Sequence, residues 1–261
     1  MLSQGARPVG YEDRGAGAPV VLLHPFPFSR GLWAALADEL ATGHRVIAVD
    51  ARGFGESPLS RYTIADLADD LAALLDQLDV RRAALVGMSM GGYTALAFAA
   101  RHPGRLAALA LAHTRATADT AEIRASRDNA RALIAAAGPD AYLAESLPRL
   151  LSPSAPPTLV RDLRARAETR APSLLAGIEA LRDRPDRTGE LGAIACPTLV
   201  ICGAQDRVTP AAEMRHMADA ISGAAFATIP DAGHLAHIEA PRAFERTLSQ
   251  FLAVSAEGDR S

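Results

Sequence analysis

The stretch Ala83-Ala84-Leu85-Val86-Gly87-Met88-Ser89-Met90-Gly91-Gly92-Tyr93-Thr94-Ala95-Leu96-Ala97 decides how the rest of the chain is read. A short apolar run meets Gly-x-Ser-x-Gly and continues as an Ala/Leu-rich helical pattern. Small residues two positions to either side of a serine let the backbone turn sharply from strand to helix, at strained or positive φ. The hydroxyl then projects without a neighbouring Cβ in its way. The first turn of the helix places free N–H groups and the positive dipole end beside any oxyanion that forms there. Such a turn can mount a nucleophile. It equally suits a glycine-rich β–α turn whose serine is only a helix N-cap. The rest of the chain has to discriminate.

With 261 residues the sequence can form one domain with a large core, or one domain carrying an insertion. Its composition, 49% hydrophobic and 22% charged, is that of an ordinary globular protein. A net charge of −3 makes no electrostatic case for nucleic acid or an anionic membrane. All 27 basic residues are Arg, which removes Schiff-base lysine chemistry and, with the abundant Ala, points to a GC-rich, bacterial coding genome. No apolar stretch approaches the roughly 18 residues of a membrane span. Met1 to Arg7 lacks the apolar core of a signal peptide, so a cytoplasmic location is expected. Cys196 and Cys202 share one apolar run. On a strand they would stand about 20 Å apart, too far for a disulfide. Without neighbouring His or carboxylate spacing they make no metal site, and no metal or cofactor is expected.

Upstream of Ser89, Val9 to Arg14 reads as an early strand and Pro19 to His24 as a buried strand; Trp33 to Leu40 is helical and His44 to Asp50 a second buried strand. Thr63 opens an amphipathic helix with apolar residues at 64, 67, 71, 74, 75 and 78, and Asp66 completes a capping-box pattern. Downstream, Leu106 to Ala112 is the next strand, with His113-Thr114 at its end. Residues 115–190 then read as helical throughout, broken at Gly138-Pro139, Pro148, Ser152 to Pro157, Pro172 and Pro185. From 114 to 190 there are 12 Arg against 11 Asp and Glu, too balanced to steer an anion. Alternation resumes with a Cys196–Cys202 strand, a helix from Ala211 to Ile221, a strand from Ala225 to Pro230 and a last helix from Pro241 to Val254, with fraying expected after Ser255.

Strands separated by helix-length segments imply an α/β protein: a mostly parallel, doubly wound sheet flanked by helices. Ligands of such sheets bind beyond the carboxyl ends of the strands. His24, Asp50, Ser89, His113, the Gly203–Asp206 loop and the Asp231–His234 loop all follow strand ends and should share one crevice.

A serine nucleophile needs a base, and the base needs an orienting carboxylate. Of the seven histidines, His44 and His102 sit at element edges and His216 on a helix surface. His234 lies on the loop after the last strand; Gly233 frees its approach, and it is preferred to His237, which belongs to the next turn. Asp206 follows the preceding strand end in the same way, although an Asx-turn role there is equally natural. The order Ser89, Asp206, His234 is nucleophile, acid, base. Two N–H donors should hold an oxyanion. Met90 supplies one. In His24-Pro25-Phe26-Pro27-Phe28-Ser29 the prolines have no N–H, which makes Phe26 the natural second donor.

These residues resemble the α/β-hydrolases, in particular the compact, lidded esterases, lactonases and haloperoxidase-like enzymes. The resemblance covers nearly the whole chain. It is carried by His24-Pro25-Phe26-Pro27, Asp50-Ala-Arg-Gly-Phe-Gly-Glu-Ser57, Gly87-Met-Ser-Met-Gly-Gly92, Gly203-Ala-Gln-Asp206 and Gly233-His234. It implies Ser89, Asp206 and His234 as the catalytic triad and the Phe26 and Met90 amides as the oxyanion hole. It also implies a core of residues 1–113 and 191–261 with residues 114–190 as a helical cap. Many relatives have His-Gly where this chain has His24-Pro25, which touches the Phe26 assignment; His113 stands where some relatives carry an acid, which favours Asp206. The activity implied is hydrolysis of small carboxylic esters or lactones through an acyl-enzyme. Two other activities are open: a cofactor-free perhydrolase or acyltransferase with the same triad, and a non-catalytic small-molecule binder. His24, Phe28, Trp33, Met88 and His113 are candidate pocket residues, although such apolar side chains are more often plain core. The sequence is silent on oligomeric state.

Overall fold

Strands and helices alternate along most of the chain, as the apolar runs require. The computed structural model describes residues 9–258, so the reading of Met1 to Arg7 lies outside the described residues. Among the described residues seven strands form one sheet: β1 (Tyr11–Arg14), β2 (Pro19–Leu23), β3 (Arg45–Val49), β4 (Ala83–Met88), β5 (Leu106–Ala112), β6 (Thr198–Gly203) and β7 (Ala225–Ile229). Their order is β1-β3-β2-β4-β5-β6-β7. Among the described residues only β1 runs antiparallel to its neighbour; the other pairs are parallel. The register pairs Met88 with Ala112, Ala112 with Ile201 and Gly203 with Ile229, which sets the carboxyl ends of β4 to β7 side by side. The architecture is the α/β, mostly parallel, doubly wound sheet expected.

Successive strand residues face opposite sides. Val21, Leu23, Ile47, Val49, Leu85 and Leu109 enter one apolar core, closed by α2 (Ile64–Gln77), α3 (Met90–Arg101) and α7 (Ala211–Asp219). Val20, Leu22, Val46, Val86 and Met88 enter a second, closed by α1 (Ala34–Leu40) and α9 (Pro241–Gly258). Helix α2 starts as its sequence requires: Asp66 N–H donates to Thr63 Oγ1 at 3.2 Å, and Thr63 N–H donates to Asp66 Oδ2 at 2.7 Å. Its leucines at 67, 71, 74 and 75 are all buried. Each such burial is worth about 1.5–3 kcal/mol.

Between β5 and β6 lie α4 (Ala121–Ser146), α5 (Pro157–Arg166) and α6 (Ala171–Arg182). The break expected at Gly138-Pro139 is present: Gly138 takes the non-helical φ 84° and ψ 172°, which divides α4 into two helical segments. Pro157 and Pro172 fall in first turns, where a missing N–H costs nothing. The inserted helices touch both cores. Ile134, Leu174, Ile178 and Leu181 join the first, and Leu143, Leu147 and Leu163 the second.

Two expectations are corrected. Cys196 precedes β6 rather than lying in it, because Pro197 cannot donate to the ladder; both cysteines are free. The last helix runs on to Gly258, beyond the fraying point set at Ser255. No helix among the described residues is long and apolar enough to cross a membrane.

Candidate active site

Ser89 occupies the turn between β4 and α3 at φ 52°, ψ −111°, a conformation rare for any residue with a Cβ. The surrounding glycines are a steric requirement. A Cβ on Gly87 would lie 2.4 Å from Gly91 O, one on Gly91 would lie 2.1 Å from Leu23 O, and one on Gly92 would lie 2.5 Å from the Thr114 side chain. Helix α3 can therefore begin directly against β2, β4 and the segment after β5. Ser89 N–H donates to Ala112 O at 2.9 Å, and Thr114 Oγ1 donates to Ser89 O at 2.9 Å. The Ser89 side chain makes no capping hydrogen bond to α3, so the plain N-cap reading fails.

Asp206 follows β6 and His234 follows β7. Gly203 allows the two loops to meet, since a Cβ there would lie 2.3 Å from the carbonyl oxygens of both Ala232 and Gly233. His234 Nδ1 donates to Asp206 Oδ2 at 2.8 Å, with both side chains withdrawn from solvent. That bond sets the tautomer and leaves Nε2 as an acceptor. Asp206 Oδ1 accepts from the N–H groups of Val208 (2.8 Å) and Thr209 (3.0 Å). The Asx-turn and the orienting carboxylate are thus the same residue, using different oxygens. Oδ2 also accepts from Thr209 Oγ1 at 2.6 Å and from His113 Nδ1 at 2.9 Å. Burial alone would disfavour the Asp206 anion, but the imidazoles of His234 and His113 outweigh it and hold the carboxyl below the usual carboxylate range. No hydrogen bond joins Ser89 Oγ to His234 among the described residues. Catalytic contacts commonly tighten only with substrate bound.

His237, the other histidine of this segment, lies in the short α8 (Ala236–Glu239) with its ring 4.5 Å from Trp33. Burial pushes it down to about 3, and neither ring nitrogen has a partner among the described residues.

The loop after β2 is held by His24. Its Nε2 accepts from Ala51 N–H at 3.0 Å, so its Nδ1 is the donor to Pro25 O, also at 3.0 Å. Phe28 N–H closes a turn onto Pro25 O at 3.0 Å. Neither the Phe26 nor the Met90 N–H donates to another group among the described residues. The Phe26 ring lies 5.8 Å from that of Phe54, and a Cβ on Gly177 of α6 would lie 2.6 Å from it.

Not every strand-end residue joins the crevice. The buried Asp50 carboxylate pairs with the Arg30 guanidinium and accepts from the N–H groups of Arg30 (2.7 Å) and Glu56 (3.0 Å), holding the first loop rather than facing Ser89. The candidate pocket residues are placed as follows. Phe28, Trp33 and Met88 are fully buried in the second core, His24 serves the loop after β2, and His113 binds Asp206.

The ligand atoms of His113, Asp206 and His234 lie within 4.8 Å of one another and could in principle hold an ion. Their N···O separations of 2.8 and 2.9 Å are hydrogen-bond lengths, which engages these atoms with one another. Thr209 and Glu239 were missed from the sequence. Glu239 accepts from Gly233 N–H at 2.8 Å and from Ser152 N–H at 2.7 Å, tying the His234 loop to the inserted helices. His234 N–H itself donates to Leu150 O at 2.9 Å. The spacing of Asp206 and Thr209 was a usable signal; Glu239 had none.

A family model described as the alpha/beta hydrolase family matches residues 20–247. The chain is 34% identical to a pimeloyl-[acyl-carrier protein] methyl ester esterase of Chromobacterium violaceum, over 94% of this chain and 98% of that one. Among solved structures it resembles a thermophilic esterase from Thermogutta terrifontis (TM-score 0.90, 37% identity, 95% and 93% of the two chains covered). It also resembles the enol-lactonase from Burkholderia xenovorans (TM-score 0.86, 30% identity, 94% and 96% covered).

Proposed function

Since the chain belongs to the alpha/beta hydrolase family, we propose that it is a serine hydrolase cleaving small carboxylic esters or lactones. The reading rests above all on the carboxyl edge of the sheet, where the buried Asp206–His234 pair follows β6 and β7 and the strained Ser89 turn follows β4. Ser89 attacks the carbonyl as His234 Nε2 takes its proton. Asp206 holds the imidazole by Nδ1 and stabilises the imidazolium. The N–H groups of Met90, at the start of the twelve-residue α3, and Phe26 take the charge that develops on the carbonyl oxygen. His234 then protonates the leaving alcohol, and water releases the acyl group from Ser89 by the same route in reverse.

Residues 1–113 and 191–261 act in this reading as the catalytic core, and residues 114–190 as a cap. The cap is anchored on the base loop by Leu150, Ser152 and Glu239, and on the first loop by Glu168 N–H, which donates to Pro27 O at 2.8 Å. The test is hydrolysis of chromogenic esters of graded acyl length by the wild type and by Ser89→Ala. The variant should lose at least about three orders of magnitude in kcat. Equal rates in the two proteins would refute the assignment.

A further inference from the structure

One oxygen in this molecule serves two imidazoles. His113 and His234 both donate through Nδ1 to Asp206 Oδ2, at 2.9 and 2.8 Å, and Thr209 Oγ1 donates to it as well at 2.6 Å. Nothing in the acyl-transfer scheme uses His113. We propose that His113 is a positioning residue for the acid of this site: its Nδ1–H locks Asp206 Oδ2 in place and moderates the charge that this oxygen offers to His234. The proposal rests on the triad reading above.

The geometry argues for a built contact. His113 directly follows β5, next to β6, and its N–H donates to Ile201 O at 2.9 Å, which commits the backbone. It holds φ 50°, unusual for a residue with a Cβ, and its side chain is wholly withdrawn from solvent. Such strain persists only where the surroundings over-determine it. The two rings meet edge to face with centroids 5.5 Å apart, so His113 also walls one side of the His234 imidazole.

The electrostatic consequence follows from counting. A carboxylate oxygen has two lone pairs, and three side-chain donors share Oδ2. Each donor draws on the same charge, so the hold on His234 is weaker than in a pair left alone. Burial is the largest influence on His113, ahead of Asp206, and keeps the ring neutral, a donor at Nδ1 with an unpartnered Nε2 among the described residues. The titratable groups facing it are Asp206 after β6, His234 after β7, and Glu239 and His237 on α8; Arg166 at the end of α5 faces His237 in turn. With Asp206 held as the anion and His237 neutral, neither of these two groups supplies the acidic limb of the activity profile.

The experiment measures kcat and kcat/KM between pH 5 and 9 on p-nitrophenyl acetate for wild type, His113→Phe and His113→Asn. Phe keeps the ring and removes the donor. Asn puts Nδ2 where Nδ1 stands and tolerates a positive φ. His113→Phe should move the acidic limb up by roughly half a pH unit or more, because the undivided carboxylate favours the imidazolium. It should also lower kcat by about tenfold with little change in KM, because the base is less firmly oriented. His113→Asn should return the limb to its wild-type position. An unmoved limb in His113→Phe, or a limb moved equally by both variants, overturns the proposal. If His113→Phe does not fold, 15N spectra of histidine-labelled wild type decide the matter: the His113 ring must be the Nδ1–H tautomer, and an Nε2–H tautomer is contrary to it. Ser89→Ala and His234→Ala are assayed alongside. Full hydrolysis by both would end the triad reading while the tautomer still reported the His113 bond, so the two failures are separable.

Discussion

The two halves of the candidate site are built by opposite means. Around Asp206, side chains and amides crowd onto one carboxylate: Val208, Thr209, His113 and His234 all donate to it. Around Ser89 there is almost no side-chain hydrogen bonding, and the shape is set by what glycines leave out at positions 87, 91 and 92. The acid–base half is held by attraction and the nucleophile half by exclusion. Electrostatic damage should therefore concentrate in the first and steric damage in the second.

The strongest break in that comparison is Asp206→Asn, which preserves shape while removing the charge and admitting the wrong imidazole tautomer. Its kcat should fall by about four orders of magnitude, measured on a chromogenic ester, with the thermal midpoint reported in parallel. On the other half, Gly91→Ala drives a Cβ toward Leu23 O. It should destabilise the fold by about 1–3 kcal/mol, read by denaturant unfolding, and activity should fall with it. A stability unchanged by that methyl group would mean that exclusion does not shape the Ser89 turn.

Glu239→Gln sharpens the contrast, because Glu239 belongs to the acid–base half yet touches neither His234 nor Asp206. One of its oxygens becomes an NH2 facing a backbone N–H, at a cost of about 1–3 kcal/mol. The readout is faster proteolytic cleavage between 147 and 157, where Ser152 loses its tie to the base loop.

The effect that is smallest at neutral pH is a titration. His237 is held near 3 in the folded chain, against an unfolded value near 6.5, so the unfolded state binds the extra proton. Its stability contribution is complete above about pH 6.5 and is lost progressively as the pH falls toward 3, at up to about 1.4 kcal/mol per pH unit. His237→Phe, which keeps a ring against Trp33 and Phe244, should flatten the fall of the thermal midpoint over that window.

Legibility in the sequence followed the range of the interaction. Gly87-Met88-Ser89-Met90-Gly91 could be read because a strand-to-helix turn is local, and its glycines answer contacts between chain neighbours and the adjacent strand. Asp206 and His234 could be read because parallel strands put every carboxyl-terminal loop on one edge. Phe28, Trp33 and Met88 were harder, since an apolar side chain near a strand end serves a pocket wall or a core equally well until its neighbours are known. The Gly138-Pro139 break could be read because it too is local: a glycine at positive φ before a proline without an N–H interrupts the helix at that point.

By itself the sequence determined the sheet, the placing of Ser89, Asp206 and His234 after strand ends, and the capping of α2, all consequences of periodicity and of residues near one another in the chain. Only the tertiary structure decided that His113 and His234 share one oxygen of Asp206, and that Glu239 ties residue 152 to residue 233. Those bonds join residues separated by 28 to 93 positions along the chain, apart from the local Gly233–Glu239 contact, and side-chain direction is settled only when the loops pack. A histidine at the end of a strand looks the same in the sequence whether it faces a substrate or a carboxylate.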